Sequence, residues 1–486
     1  MVRPLSRHGA HLALRPDGSS AEGAIPRVLI FLAATIAAAG TAQAQDEFAA
    51  TIRTLTADGA PPGSRWRDST RYRDAAARLY SLRSDGPVWM IGGRFSPQGR
   101  AAIDELLAAG LHGIDPGDYD GQALEAMARR FDQGPVTVAD LARTDVWLTI
   151  SLLRYLDDLR FGRVRFEAFT RGPAGRPDWA ALDHAIDGDS ISRLVAASAP
   201  ALTQYRNLQR LLLHYRGFAT DSSPRAHQIE LALERLRWLP PLGRRPFLVV
   251  NIPAFELFAF DSAGGTGAPS LAMKVVVGKA VDTRTPMLFE QMRYVEFRPF
   301  WNVPRGILRA EILPRLRRDP SYLRAHRMEL FKPGVGPAGD RVDADVIRRL
   351  AADSLRVRQR PGPSNSLGLI KFAFPNAADV YMHGTPETEL FAQSRRDFSH
   401  GCIRLEDPAA LGAWVLRDQP GWTPDSIGAA MSGPSTYRVA LRRPLAVAVF
   451  YTTAVAMPDG TARFYPDIYG LDRELTEALA GVTSPR

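Results

Sequence analysis

Apolar residues recur at spacings of three, four and seven through the first half of this chain, then give way to short β-branched and aromatic runs in the second. RAAIDELLAAG predicts a helix that stops at Gly110, and the LHGIDPGDY that follows is turn chemistry. In TVADLARTDVWLTISLLRYLDDLRFG, residues Leu141, Leu148, Leu152, Tyr155 and Leu159 fall on one face of a packed helix. Tyr205, Leu208, Leu212 and Tyr215 repeat that pattern, as do Ile229, Leu233 and Leu236. Residues 46 to about 90 are polar and Arg-rich and predict one short helix. The chain to about residue 240 therefore reads as a mostly helical module.

The texture changes at Pro240 and Pro241. PFLVVNIPAFELFAF, a DSAGGTGAPS turn and LAMKVVVG predict a hairpin, and YVEFRPFWNVP predicts a further strand. A helical excursion, ILRAEILPRLRRDPSYLRAHRMEL, interrupts the strands and is broken by Pro314 and Pro320. An insertion of this kind either caps a site or decorates the surface. The Gly- and Pro-rich RQRPGPSNSLGLIKFAFPN leads to the strand DVYMHG. Asp407 and Pro408 form an N-cap and N1 pair for a helix burying Leu411, Trp414 and Val415. TYRVAL and LAVAVFYTTAVA predict two more strands before a polar tail. The fold class is α+β.

The apolar run at 28–39, VLIFLAATIAAA, follows Arg27 and precedes an A-x-A site at Ala42, Gln43 and Ala44, which predicts a secretory signal peptide over 1–44. The polar stretch 1–26 ahead of it is long for an n-region, and an uncleaved segment would anchor the chain to a membrane. Twin arginines are missing, which points to the general secretory route, and no cysteine follows the cleavage site to carry a lipid. Length predicts two to three domains. The net charge of +9 comes almost entirely from arginine, since the lysines are only Lys274, Lys279, Lys332 and Lys371. It fits either an acidic partner, such as anionic wall polymer or lipid, or plain compositional bias. No long basic run suggests nucleic acid. His112, His184, His214 and His227 lack metal-ligand spacing.

One cysteine, Cys402, stands in SHGCIRLEDP. An exported chain normally pairs its structural cysteines, so a solitary one is either a small buried apolar residue or a reactive thiol. His400 lies two residues before it, Arg404 two after, and His383 ends the strand DVYMHG. Since 402 − 383 = 19, only a folded-back chain brings His383 to Cys402. A thiol of pKa about 8.5 is a weak nucleophile at neutral pH until a base removes its proton. The turn holding Cys402 is expected to lead into the Pro408 helix, whose N-terminus would favour a thiolate modestly.

HGT followed by SHGCIR resembles the catalytic motif of the L,D-transpeptidases, cell-wall enzymes of the YkuD fold. NIPAFELFAF, MKVVVGK, RTPM, WNVP, RQRPGPSNSLGLIKFAFPN, FYPDIYG and LERLRWLP extend the resemblance from about residue 79 to 469, toward the large periplasmic YcbB-like subgroup. The inserted peptidoglycan-binding module usual in that subgroup has no room in RGFATDSSPRAH, and Gly384 stands where its members often carry aspartate. The resemblance implies a helical scaffold domain (45–240), a YkuD catalytic domain (241–470) with a helical cap, and a C-terminal tail (471–486).

It implies Cys402 as nucleophile and His383 as general base, oriented by the next backbone carbonyl. N–H groups around His400, Gly401 and Cys402 would form an oxyanion hole. Tyr381 would line the donor pocket or simply pack, Arg404 would grip a substrate carboxylate or hold the loop, and Ser399 would be a hydrogen-bonding turn residue. The implied reaction needs no cofactor or metal. Cys402 takes the acyl group of meso-diaminopimelate from a peptidoglycan tetrapeptide stem, releases D-alanine, and passes the acyl group to a second stem as a 3→3 crosslink. Carbapenems would acylate the same thiol, and wall synthases or hydrolases would be partners. Hydrolysis of the same acyl-enzyme is the nearest alternative, and a non-catalytic wall-binding scaffold a more distant one.

Overall fold

The computed structural model describes residues 27–58, 70–166, 177–217, 223–242, 245–262 and 268–483. Its first half is helical: α1 (Arg27–Asp58), α2 (Thr70–Leu82), α3 (Pro97–Leu107), α4 (Gly121–Gln133), α5 (Val138–Phe161), α6 (Trp179–Asp187), α7 (Ile191–Ser198), α8 (Thr203–Gly217) and α9 (Ser223–Trp238). Of the segment read as a signal peptide, residues 1–26 lie outside the described residues and 27–44 belong to α1. Among the described residues no helix is long and apolar enough to cross a membrane. Phe48 and Ile52, one turn apart on α1, enter the helical core, so 46–90 holds two helix segments where the polar composition suggests one.

The axis of this core is α5. Its spacing predicts one buried face, yet it is enclosed on most sides, burying Asp145, Thr149 and Ser151 along with Leu148, Leu152, Tyr155 and Leu159. Polar groups survive there when donors reach them. The Asp145 carboxylate accepts from the Tyr80 hydroxyl at 2.6 Å and from the N–H groups of Val88 and Trp89 at 3.1 and 2.9 Å. The Trp89 indole donates to Thr149 Oγ1 at 2.8 Å.

The second half is built on nine strands: β1 (Phe247–Asn251), β2 (Glu256–Phe260), β3 (Leu271–Gly278), β4 (Leu288–Phe297), β5 (Ile370–Ala373), β6 (Met382–His383), β7 (Asp397–Ser399), β8 (Ile403–Leu405) and β9 (Tyr437–Phe450). Their order is β7-β3-β8-β6-β5-β4-β9-β1-β2, and pairing of β2 with β3 closes the ring. Alternation sends Leu248, Leu257, Val275, Val295, Phe372, Met382, Ile403 and Val447 into one core, which α10 (Pro408–Leu416) and α11 (Pro424–Ser432) cover with Leu411 and Ile427. Trp414 and Val415 are only half-buried.

Two strand readings change in detail. PFLVVNIPAFELFAF folds back on itself as β1 and β2, with Phe255 at a φ of 54° in the turn. TYRVAL and LAVAVF are one strand whose register against β4 shifts between Ala440 and Leu445, around Pro444, which has no N–H to give the ladder.

The insertion between β4 and β5, read as helical, also carries a four-stranded antiparallel sheet of Trp301–Asn302, Met328–Lys332, Gly336–Pro337 and Arg356–Gln359. Leu316, Leu323, Leu330, Leu350 and Val357 give it a core of its own. Periodicity does not reveal strands of two residues, and Trp301–Asn302 pairs with a segment more than fifty positions away. The segment 471–486, read as a tail, is a helix from Leu471–Thr483, α12.

The α8–α9 hairpin joins the halves: Leu208, Leu212, Ile229 and Leu233 pack with Phe289, Ala448 and Phe450 on the outside of the barrel. The fully buried Arg235 of α9 donates to Asp472 Oδ1 at 2.5 Å and to the Leu471 carbonyl at 2.8 Å on α12. Arg235→Ala leaves that carboxylate without its counterion in a place nearly closed to water. The expected cost is about 3 kcal/mol, read as a lower urea midpoint; an unchanged midpoint would show that the pair does not tie the halves together.

Candidate active site

Strands β6 and β8 run side by side and parallel, Met382 opposite Ile403 and His383 opposite Arg404. The Ile403 N–H donates to the Tyr381 carbonyl at 3.0 Å. Met382 and Ile403 point into the barrel and are fully buried. The two-residue period then turns Tyr381, His383, Cys402 and Arg404 to the opposite face. Residues 19 apart in the chain thus become diagonal neighbours on adjacent strands.

The imidazole of His383 is fixed by its own neighbour, Nδ1 lying 2.5 Å from the Gly384 carbonyl. A carbonyl only accepts, so Nδ1 carries the proton and Nε2 keeps a free lone pair. Burial, helped by the charges of Arg404 and Lys371, pushes this histidine down to about 3. The Tyr381 ring lies 5.7 Å from the His383 ring, and the phenol acts on the Cys402 thiol from the neighbouring strand, pulling its pKa down. Burial raises the tyrosine as well, keeping it a neutral donor. Burial also raises the thiol, despite the Tyr381 hydrogen bonds and the charge of Lys371 that pull the other way.

The loop before Cys402 is built from internal hydrogen bonds. Ser399 Oγ donates to the Cys402 carbonyl at 2.5 Å and accepts from the Gly401 N–H at 3.1 Å. That N–H is therefore occupied, which moves the expected oxyanion donors to those flanking it. Gly401 has a φ of 109°, a conformation only glycine adopts without strain. From the other side, Thr285 Oγ1 donates to the Gly401 carbonyl at 2.8 Å and accepts from the Gly278 N–H at 2.8 Å. The Tyr469 hydroxyl holds Gly278 and Thr285 in turn.

The remaining predicted residues are placed as follows. His400 Nε2 meets Glu311 Oε1 at 2.6 Å, an ion pair to the cap when the imidazole is protonated, and Glu311 lies in a π-helical turn (Leu308–Ile312), a local irregularity common at functional sites. Arg404 pairs with Glu387 in the segment between His383 and Cys402, a contact suited to holding that loop. The Gly384 N–H donates to the Ile370 carbonyl at 3.0 Å, and Gly368 packs so closely that a Cβ on it would lie 2.7 Å from the Gly384 backbone. The expected position of Cys402 in a turn leading into a helix is corrected: β8 intervenes, and α10 begins only at Pro408, with Asp407 accepting from the Ala410 N–H at 2.9 Å. The helix N-terminus therefore sits a strand away from the thiol. Among the described residues no cluster of three or more His, Cys, Asp or Glu could hold a metal ion.

Residues 245–427 match the family model of the L,D-transpeptidase catalytic domain, YkuD, and residues 74–212 match that of the scaffold domain. Each half of the chain is thus similar to a separate family model, the second to the YkuD catalytic domain. A Haemophilus influenzae protein named "Putative L,D-transpeptidase" is 26% identical over 418 residues, spanning 84% of this chain and 80% of its own. The similarity therefore runs through both halves.

Sequence reading missed four residues at the candidate site: Lys371, Thr285, Tyr469 and Glu311. The quoted motifs contain Lys371, Thr285 and Tyr469, but nothing in linear order singles them out. Only the fold brings Glu311 to His400.

Burial favours a neutral thiol beside a neutral imidazole in the resting site, an arrangement in which any attack by the sulfur would be accompanied by proton transfer instead of preceded by it. Because burial raises the Cys402 thiol, its alkylation by iodoacetamide is expected to keep accelerating past the ordinary thiol value of about 8.5. A rate already level below about pH 7 would reveal a preformed thiolate–imidazolium pair instead.

Proposed function

We propose that this protein is a periplasmic peptidoglycan L,D-transpeptidase of the large YcbB-like kind, acting through a Cys402 acyl-enzyme. The observation that carries this reading is the single thiol set on one sheet face with Tyr381 and an Nδ1-protonated His383. The similarity to the L,D-transpeptidase catalytic domain supplies the substrate class.

Cys402 Sγ attacks the carbonyl of the third residue of a tetrapeptide stem while His383 Nε2 takes the thiol proton. The N–H groups of His400 and Cys402, flanking the occupied Gly401 N–H, receive the developing oxyanion, each donor contributing about 3 to 4 kcal/mol in comparable acyl-transfer sites. Collapse breaks the peptide bond, and the departing D-alanine amine leaves with the His383 proton. The amine of a neighbouring diaminopimelate then attacks the thioester, giving a 3→3 crosslink and restoring the thiol. The cap, joined to the catalytic loop through Glu311 and His400, is placed to keep water from competing with that amine. With water as acceptor, the same intermediate yields a tripeptide.

Disaccharide tetrapeptide incubated with the chain from Gln45 onward is expected to give a crosslinked dimer lacking one D-alanine, and none with Cys402→Ala. A carbapenem is expected to add its mass to the wild type alone. Tripeptide as the sole product would make the protein a carboxypeptidase; an unmodified stem with no drug adduct would falsify the acyl-enzyme.

A further inference from the structure

One rung of the barrel crosses five strands. Arg438 on β9 lies opposite Glu296 on β4, Glu296 opposite Lys371 on β5, Lys371 opposite His383 on β6, and His383 opposite Arg404 on β8. Residues of one rung share a face, so three cations and one carboxylate flank the imidazole. Arg404 is paired with Glu387, and Glu296 meets Arg438 at 3.4 Å. Lys371 is different: among the described residues its ammonium makes no ion pair and no hydrogen bond, and it rests 3.7 Å from the centroid of the Tyr381 ring.

Lys371 is half-buried, and loss of water depresses its pKa even though the carboxylates of Glu296 and Asp379 act against that shift. Holding an unpaired ammonium in such a place opposes folding, since a charge leaving water needs a partner. The ring of Tyr381 compensates only in part. The side chain stands on the same sheet face as Cys402, against the ring of Tyr381, where its ammonium is open to a partner.

We infer that Lys371 is the docking point for a carboxylate of the acyl-donor peptide, setting the scissile carbonyl over Cys402. The inference rests on the proposed reaction for its peptide. Two carboxylates of the donor stem share this chemistry: the one at the C-terminus of the departing residue, and the one on the side chain of the residue that is attacked. Arg404 is a poorer candidate because its guanidinium is already occupied by Glu387.

Binding tests the idea without turnover. The dissociation constant of the tetrapeptide stem is measured by calorimetry for Cys402→Ala, and for the same protein carrying Lys371→Met or Lys371→Arg. Three ligands are used: the natural stem, a stem amidated at its C-terminus, and a stem amidated on the diaminopimelate side chain. Lys371→Met is expected to weaken the natural stem about 10- to 100-fold, the range of a charge-assisted hydrogen bond, and Lys371→Arg to retain most of the affinity. One of the two amidated stems should show the same loss on the Lys371 protein and no further loss on Lys371→Met, which identifies the carboxylate. Equal affinity of the Lys371 protein for all three stems overturns the inference without any Lys371 variant. So does a loss on amidation that persists undiminished in Lys371→Met, or a natural stem that does not bind. Failure of the proposed reaction reads out elsewhere, as wild-type protein that binds the stem and never transfers it.

Discussion

The parallel contact between β6 and β8 is the constraint on which the site depends. Two short strands, Met382–His383 and Ile403–Leu405, are held in register because Met382 and Ile403 must both bury their side chains in the barrel. A slip of one residue would drive the His383 imidazole inward and turn a methionine to the reactive face. Hydrophobic burial therefore positions the chemistry. It sets the imidazole, the phenol and the thiol on one side without any of them supplying much stability.

Around that contact lies a continuous scaffold of hydrogen bonds. Arg235 on α9 holds Asp472 on α12, and Asp472 also accepts from Thr453. The Tyr451 hydroxyl donates to Asp467 and accepts from the Tyr469 N–H, while the Tyr469 hydroxyl reaches Gly278. Thr285 closes the series on the Gly401 carbonyl. A helix of the N-terminal half is thus tied through the C-terminal segment to the loop that carries Cys402. The tight packing here has a visible signature in glycine: a Cβ on Gly278 would fall 1.9 Å from the Thr283 carbonyl oxygen. Small residues let the loop, the barrel edge and the C-terminal segment meet at one point.

Electrostatics at this site follow from burial more than from charge pairing. Burial lowers the histidine and raises the cysteine and the tyrosine, so each stays neutral. Neutral groups cost little to enclose, and a thiol kept protonated is less readily oxidised than a thiolate.

Much of this was legible in the chain itself. Helical spacing marks α5, α8 and α9, because an amphipathic face repeats within a few residues. The solitary cysteine with His383, His400 and Arg404 marks the candidate site, since a reactive thiol needs a base and few residue types supply one. Linear order does not reveal long-range pairing. The four-stranded sheet of the cap, the single long strand β9, the helix at Leu471–Thr483 and the strand between Cys402 and α10 all depend on partners far away in sequence. The same is true of Lys371, an unremarkable lysine in a Gly- and Pro-rich stretch until β5 pairs with β6 and sets it opposite His383. The sequence by itself determined which residues can react, because reactivity is a property of side-chain type. The tertiary structure decided which of them meet and in what charge state, because register and burial exist only once distant strands have paired.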